Sequence, residues 1–407
     1  MRILILLTAA GIGLATGLFL LHPEDPDRRN AFMHETAPLK MGVLPPEDGV
    51  TLALIDKGPA SAPHVLLVTD VTPQSITGLD LTAQGLTSEV EFFQVIEQIG
   101  LDRLRTLASV PSTGETSFPL VSHPYTDLLP AAGTASRHIA SGTNFPEHQE
   151  ETQAQSVFNF PKFGAATPPV TTVSVTEHEL LDYEVEICAR FDRDIKSVED
   201  FDQARKGFFL CGDFSDRAAL MRLIDPDNLD SGKGFSDAKS GPDHFPSGGV
   251  FVVPRDWRRF VETERLTTSV NGEPRQDTRA GDMILSFRDL VEKILADTTE
   301  ARFLYQSRYW HLVEDARIAQ GQVLMSGTAE GVIFMPPSLR QILRGSFRYV
   351  IDGHVLKGRT PYQAVVETFL NEERKSYRFL QPGDRVSHRS SHMGMISALV
   401  VQATIGE

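Results

Sequence analysis

The sequence predicts an α+β protein that is mainly β. In the second half of the chain, short apolar and alternating runs of strand type far outnumber helical patterns. One such run, ending at Val270, leads straight into Asn271-Gly272, a strong hairpin turn. A single clear amphipathic helix intervenes, Phe287–Leu295, with Phe287, Leu290, Val291, Ile294 and Leu295 on one face. Many strands with few helices favour a closed or sandwiched sheet over a doubly wound one.

At 407 residues the chain is long enough for two domains behind a leader. Residues 1–22 contain the uncharged run Ile3–Leu21, and about 20 apolar residues suffice to span a bilayer. The run reads as an anchor, or second as a cleaved export signal, which predicts a membrane-anchored or exported protein. A start at Met33 or Met41 would remove it and leave a cytoplasmic one. Residues 23–40 are polar and read as a linker. Residues 41–130 predict a small accessory domain, with strands Thr51–Asp56 and His64–Thr69 about the Gly58-Pro59 turn. In the same segment a capping-box pattern at Ser88–Glu91 precedes Phe92, Val95, Ile96 and Ile99 on one helical face. Residues 131–407 form the second domain. Its strands are expected at Val170–Val175, Glu184–Ala189, Gly207–Leu210, Gly249–Val253, Leu266–Val270 and Val323–Met325.

Composition excludes several classes. The net charge of −15 and the lack of a basic patch interleaved with aromatics argue against a nucleic-acid partner. There is no P-loop, dinucleotide fingerprint, Gly-x-Ser-x-Gly elbow or His-Glu-x-x-His. The two cysteines, Cys188 and Cys211, fall one in each of two core strands and read as small buried fillers rather than a disulfide.

The chemistry concentrates around Leu181–Arg190. As a strand this stretch sets Glu184 and Glu186 on one face, with Tyr183, Val185 and Ile187 on the other. Neighbouring carboxylates repel unless a cation lies between them. After a polar crossover, Val198–Arg205, the apolar run from Gly207 ends in Asp213, a third carboxylate. Three such oxygens suit Mg²⁺ or Mn²⁺. Upstream, Pro146 starts a short helix on which His148 and Glu151 share a face. A carboxylate behind an imidazole makes a base able to activate water. Lys162, in an apolar setting, and Lys239, before a Gly/Pro-rich loop, could each hold a substrate oxygen or a developing enolate. Ser326-Gly327-Thr328 could present N–H groups and a hydroxyl to an anion. His388 and His392 have no matching acidic partner and receive no role.

Taken in register, these motifs resemble the fumarylacetoacetate hydrolase family. The matching elements are Gly142-x-Asn144-Phe145-x-x-His148-x-x-Glu151, Glu184-x-Glu186, Gly207–Asp213, Ala238-Lys239-Ser240, Val270-Asn-Gly-Glu273, Met283-Ile284 and Gly327-Thr328-x-x-Gly331. The resemblance implies a mixed β-roll catalytic domain, a homodimer, and one Mg²⁺, Mn²⁺ or Ca²⁺ ion. Carried over by position, Glu184, Glu186 and Asp213 are metal ligands, and His148, Glu151 and Lys239 are catalytic. Lys162 and Thr328 then bind a small keto or diketo acid. Relative to that pattern, Phe145 stands in place of Tyr, Thr143 in place of Arg and Gln322 in place of Asp. An insertion lies around 336–380, with a helix expected at Tyr362–Arg374.

The expected activity is hydrolysis of a C–C bond in a diketo acid. The alternatives are decarboxylation or isomerisation of a keto acid at the same site, and a non-catalytic tethered binder.

Overall fold

The computed structural model describes residues 35–109, 118–154, 156–353 and 358–403. They fall into two compact units, 35–332 with 380–403, and 333–379.

The larger unit is built on two mixed sheets, the sheet-dominated α+β architecture expected. From edge to edge, the ten-stranded sheet runs through Leu120–Pro124, Ser75–Asp80, His64–Val71, Gly49–Ile55 and Val250–Pro254. It continues through Lys206–Gly212, Val185–Phe191, Leu324–Met325, Arg137–Gly142 and Phe158–Phe163. Its pairings are antiparallel except where Leu324–Met325 runs parallel to Arg137–Gly142. Strands from residues 41–130 therefore belong to the same sheet as the site strands, through pairs such as Thr51↔Val252. The five-stranded sheet runs Glu273–Arg279, Arg265–Val270, Arg385–Ser390, Met395–Gln402 and Val170–Val175. Asn271-Gly272 makes the hairpin between its first two strands, with Asn271 at φ 53° and Gly272 at φ 85°.

The two central strands of the large sheet, Val185–Phe191 and Lys206–Gly212, are buried along their whole length. Covered on both faces, they need no polar side, which is why Gly207–Leu210 reads as a continuous apolar run. Phe251 on the next strand stacks on Phe92 at 4.5 Å between centroids, seating the helix Phe92–Ile99 on the sheet. The Val198–Arg205 stretch carries the helix Val198–Gln203, but the strands it joins are antiparallel, so it is a hairpin-type connection and not a parallel crossover.

Two expectations need correction. Cys188 and Cys211 are not separate fillers; they form a buried disulfide with Cα atoms 6.0 Å apart. Register is the reason: Cys188 faces Phe209 and Cys211 faces Glu186, so the cysteines are diagonal neighbours on one face. The membrane-anchored or exported placement is corrected as well, since the described residues show no anchor for it. No helix among the described residues is long and apolar enough to cross a membrane. The run Ile3–Leu21 itself lies outside the described residues.

The smaller unit carries the expected insertion helix within Pro361–Ser376, together with Leu339–Ile351. Both start in capping boxes, Ser338 with Gln341 and Thr360 with Gln363. They pack closely at Gly345, where an added Cβ would lie 2.5 Å from Val365 Cα.

The disulfide closes a loop with a sequence separation of 23 residues. Replacing both cysteines by alanine should lower stability by about 3 kcal/mol, read as a fall in the thermal midpoint. An unchanged midpoint would show that strand pairing alone holds the two strands.

Candidate active site

Backbone pairing builds the acidic cluster. Glu184 leads into the strand Val185–Phe191, Glu186 lies on it, and Asp213 directly follows Lys206–Gly212. The antiparallel register is extended by the Asp213 N–H, which donates to Glu184 O at 2.9 Å. All three carboxylates are buried, and each offers an oxygen within 4.8 Å of the others.

Cations close around them. Lys239, ending the helix Phe235–Lys239, donates to Glu184 Oε2 at 2.7 Å and to Asp213 Oδ2 at 2.8 Å. Lys162, on the edge strand Phe158–Phe163, donates to Asp213 Oδ1 at 2.7 Å and to the carbonyl oxygens of Lys239 and His244. Arg217, the first residue of the helix Arg217–Leu223, donates to Asp182 Oδ2 at 2.9 Å and to Glu184 Oε1. With Asp182 included, four carboxylates face three cations, and all seven side chains are buried.

The balance shows in the protonation equilibria. Burial pushes Asp213 upward, but the charges and hydrogen bonds of Lys162 and Lys239 outweigh it and hold the carboxyl below its ordinary value. Burial likewise opposes the charged form of Lys239, yet Asp213 and Glu184 raise it above its ordinary value. Glu186 goes the other way. Burial, then the charges of Asp213 and Glu184, raise it well above the usual carboxylate range. Its Oε2 accepts the Gly327 N–H at 2.8 Å, while Oε1 is buried with no hydrogen-bond partner. A buried carboxylate oxygen without a donor, beside two more carboxylates, is a fit for a hard divalent ion. Glu184, Glu186 and Asp213 are the residues that would hold it.

His148 and Glu151 lie on the helix Pro146–Thr152, which Pro146 starts and Gln153 ends at φ 57°. His148 Nδ1 lies 3.1 Å from Glu151 Oε2. Donating that N–H leaves Nε2 with its lone pair, the atom a general base needs. Glu151 Oε1 accepts the Gly331 N–H at 2.9 Å, and Tyr183 Oη donates to Gly331 O at 3.0 Å. The turn 326–331 thus joins the two halves of the site, since Gly327 serves Glu186 and Gly331 serves Glu151. Both glycines have positive φ, 83° and 92°, and a Cβ on Gly331 would lie 2.2 Å from Arg275 O.

Thr328 lies in this turn, but its hydroxyl donates to Val185 O at 2.9 Å and accepts from Gln276 Nε2 at 2.9 Å. A ligand would meet its remaining lone pair or the main chain. Gln276 was not visible from sequence as a site residue. Its Oε1 accepts from Val185 N, between the two glutamates, and from Thr268 Oγ1; its Nε2 also reaches Ala329 O. Arg217 was missed too, although its place four residues after Asp213 was a usable signal. Asn144 holds the turn from the other side, donating to Leu285 O and Ser326 O. His392 gains the acidic partner it lacked in sequence, with Nδ1 at 2.7 Å from Glu264 Oε2.

The comparisons with known proteins agree with this architecture. The model of the fumarylacetoacetate hydrolase C-terminal domain matches residues 137–401. The chain therefore belongs to the fumarylacetoacetate hydrolase family. An uncharacterized protein of Staphylococcus epidermidis is 27% identical over 218 residues, 51% of this chain and 62% of that protein. The chain thus matches less than two thirds of that relative's length. A putative HpcE protein from Mycobacterium smegmatis shares the fold with TM-score 0.53 and 20% identity, over 87% of this chain and 100% of its own. Fumarylacetoacetate hydrolase from Exiguobacterium antarcticum does so with TM-score 0.50 and 16% identity, at the same coverages.

Three histidines around the site are buried and neutral: burial pushes His138, His244 and His388 down to about 3. Between that value and the ordinary one near 6.5, the unfolded chain binds the extra protons, so stability rises with pH across the window. Acidification from pH 7 to pH 5 should therefore cost about 2 kcal/mol per histidine, measured by urea unfolding at each pH. His388→Gln should remove about a third of this dependence; an unaltered slope would place the proton uptake elsewhere.

Proposed function

We propose that this chain is a divalent-metal-dependent hydrolase that cleaves a C–C bond in a diketo acid. One observation carries the reading: the partly buried His148–Glu151 pair is tied through the turn 326–331 to a cluster of three carboxylates. A binding protein has no need of that base. Membership of the family supports it, as does the fold shared with a fumarylacetoacetate hydrolase.

A divalent ion on Glu184, Glu186 and Asp213 would supply Lewis acidity toward two oxygens of a 1,3-dicarbonyl or α-keto acid. The protein's own groups do the rest. His148 Nε2 takes a proton from water as the water oxygen adds to the outer carbonyl carbon, and Glu151 stabilises the imidazolium that results. The adjacent C–C bond then breaks, and its electron pair passes onto the neighbouring carbonyl as an enolate. An ammonium from Lys239 neutralises that charge, and the imidazolium returns its proton to carbon. The buried walls keep bulk water from protonating the enolate early.

Two departures from the family pattern narrow the substrate. Phe145 is buried at the helix N-cap and has no hydroxyl to offer. Thr143, at φ 57°, turns its hydroxyl to the carbonyls of Gly142 and Ser156, each at 2.7 Å. Neither can grip a distal substrate carboxylate as Arg and Tyr would, which favours an acyl group without one.

The test is loss of enol absorbance for a panel of acylpyruvates and oxaloacetate, with Mg²⁺ or Mn²⁺ against chelator. His148→Ala should lower turnover by about 100-fold or more while metal still binds, and Glu184→Gln should weaken both. Product analysis separates hydrolysis from decarboxylation or isomerisation. Metal binding without turnover of any of these acids would sink the hydrolase reading.

A further inference from the structure

We infer that Lys239 is a placeholder cation: its ammonium and an incoming divalent ion compete for the same two carboxylate oxygens, and ion binding releases Lys239 towards the substrate. The inference rests on the metal-dependent reading above and concerns how that site is loaded.

The three ligand carboxylates carry six oxygens, and three of these are held by groups with firm second anchors. Glu184 Oε1 accepts from Arg217, whose guanidinium also grips Asp182. Asp213 Oδ1 accepts from Lys162, which is further tied to the carbonyl oxygens of Lys239 and His244. Glu186 Oε2 accepts the Gly327 N–H. Three oxygens remain for an ion: Glu184 Oε2, Asp213 Oδ2 and the unpartnered Glu186 Oε1. Lys239 Nζ bridges the first two, at 2.7 and 2.8 Å.

Lys239 differs from the other two cations in its anchoring. Its two hydrogen bonds both go to ligand carboxylates, and neither goes to a neutral carbonyl. A divalent charge placed on the same oxygens repels the ammonium at short range, and Lys239 has no second anchor to keep it there. Its flexible stem rises from the last residue of a five-residue helix, followed by Ser240 and Gly241, so a swing of the head group needs no movement of the sheet. Lys162 and Arg217 stay and hold the ligands in place. In this scheme ion loading and the arming of Lys239 are one event: the ammonium that balanced the carboxylates becomes the one that meets the enolate.

The experiment titrates Mn²⁺ into metal-free full-length protein by calorimetry, for wild type, Lys239→Met and Lys162→Met. Lys239→Met should bind Mn²⁺ about tenfold or more tightly than wild type, since no cation need be displaced, and Lys162→Met should differ by less than about threefold. The thermal midpoint of Lys239→Met should depend more steeply on Mn²⁺ than that of wild type. If Lys239→Met does not fold, Lys239→Gln keeps the length without the charge and serves instead. Equal or weaker binding in the variant overturns the inference, and so does a matching gain in Lys162→Met, which would mean general electrostatics. Failure of wild type and variant alike to bind Mn²⁺ overturns the metal-dependent reading itself, and the inference with it.

Discussion

Charge balance inside a buried cluster is the constraint on which the rest of this structure depends. Four carboxylates are withdrawn from water on or beside two central strands, and each would be costly there alone. Lys162, Arg217 and Lys239 offset most of that cost, and each arrives from a different element: an edge strand, a helix start and a helix end. Because the pairs are buried, their geometry must be held tightly for attraction to outweigh desolvation. The strands, the two short helices and the edge strand are thereby committed to one arrangement. Glu186 is the carboxylate without a cationic partner, and its Oε1 is buried with no hydrogen bond.

The surrounding fold supplies rigidity at the points where the site needs it. The disulfide joins the two central strands one step along from the acidic cluster, with Cys211 directly opposite Glu186. Gln276 and Thr328 take the N–H and C=O of Val185, the residue between the two glutamates, in place of a regular strand ladder. The turn that supplies Thr328 also links to Glu151, so the His148–Glu151 pair and the acidic cluster are both tied to one short segment. These departures from regular pairing fall beside the acidic cluster. A regular sheet would instead have used those backbone groups on a neighbouring strand.

Much of this was legible in the chain. Alternation at Glu184 and Glu186 put two carboxylates on one face, and an apolar run ending in Asp213 aimed a third. Those are local patterns with short periods, as are the His148–Glu151 spacing and the hairpin at Asn271-Gly272. The bonds from Lys162 and Lys239 to Asp213 and the role of Gln276 span 51, 26 and 91 residues respectively. No local period reports such contacts. The cysteines illustrate the limit: each reads correctly as a buried residue of a core strand, but only the register between the strands makes them diagonal neighbours. The acidic partner of His392 was hidden for the same reason, since Glu264 is 128 residues away in the chain.

By itself the sequence determined which residue types could carry chemistry and on which face of a strand or helix they stand, because side-chain direction follows from backbone period. Tertiary structure decided which of them meet. Register set Asp213 beside Glu184, and helix ends delivered Arg217 and Lys239. The turn at Gly327–Gly331 connected the His148–Glu151 pair to the acidic cluster, using backbone conformations that glycine adopts readily. The physical reason is that local periodicity propagates along the chain, whereas charge compensation acts through space. A buried carboxylate must find its cation wherever packing brings one, and nothing in the carboxylate's own neighbourhood in sequence says where that will be.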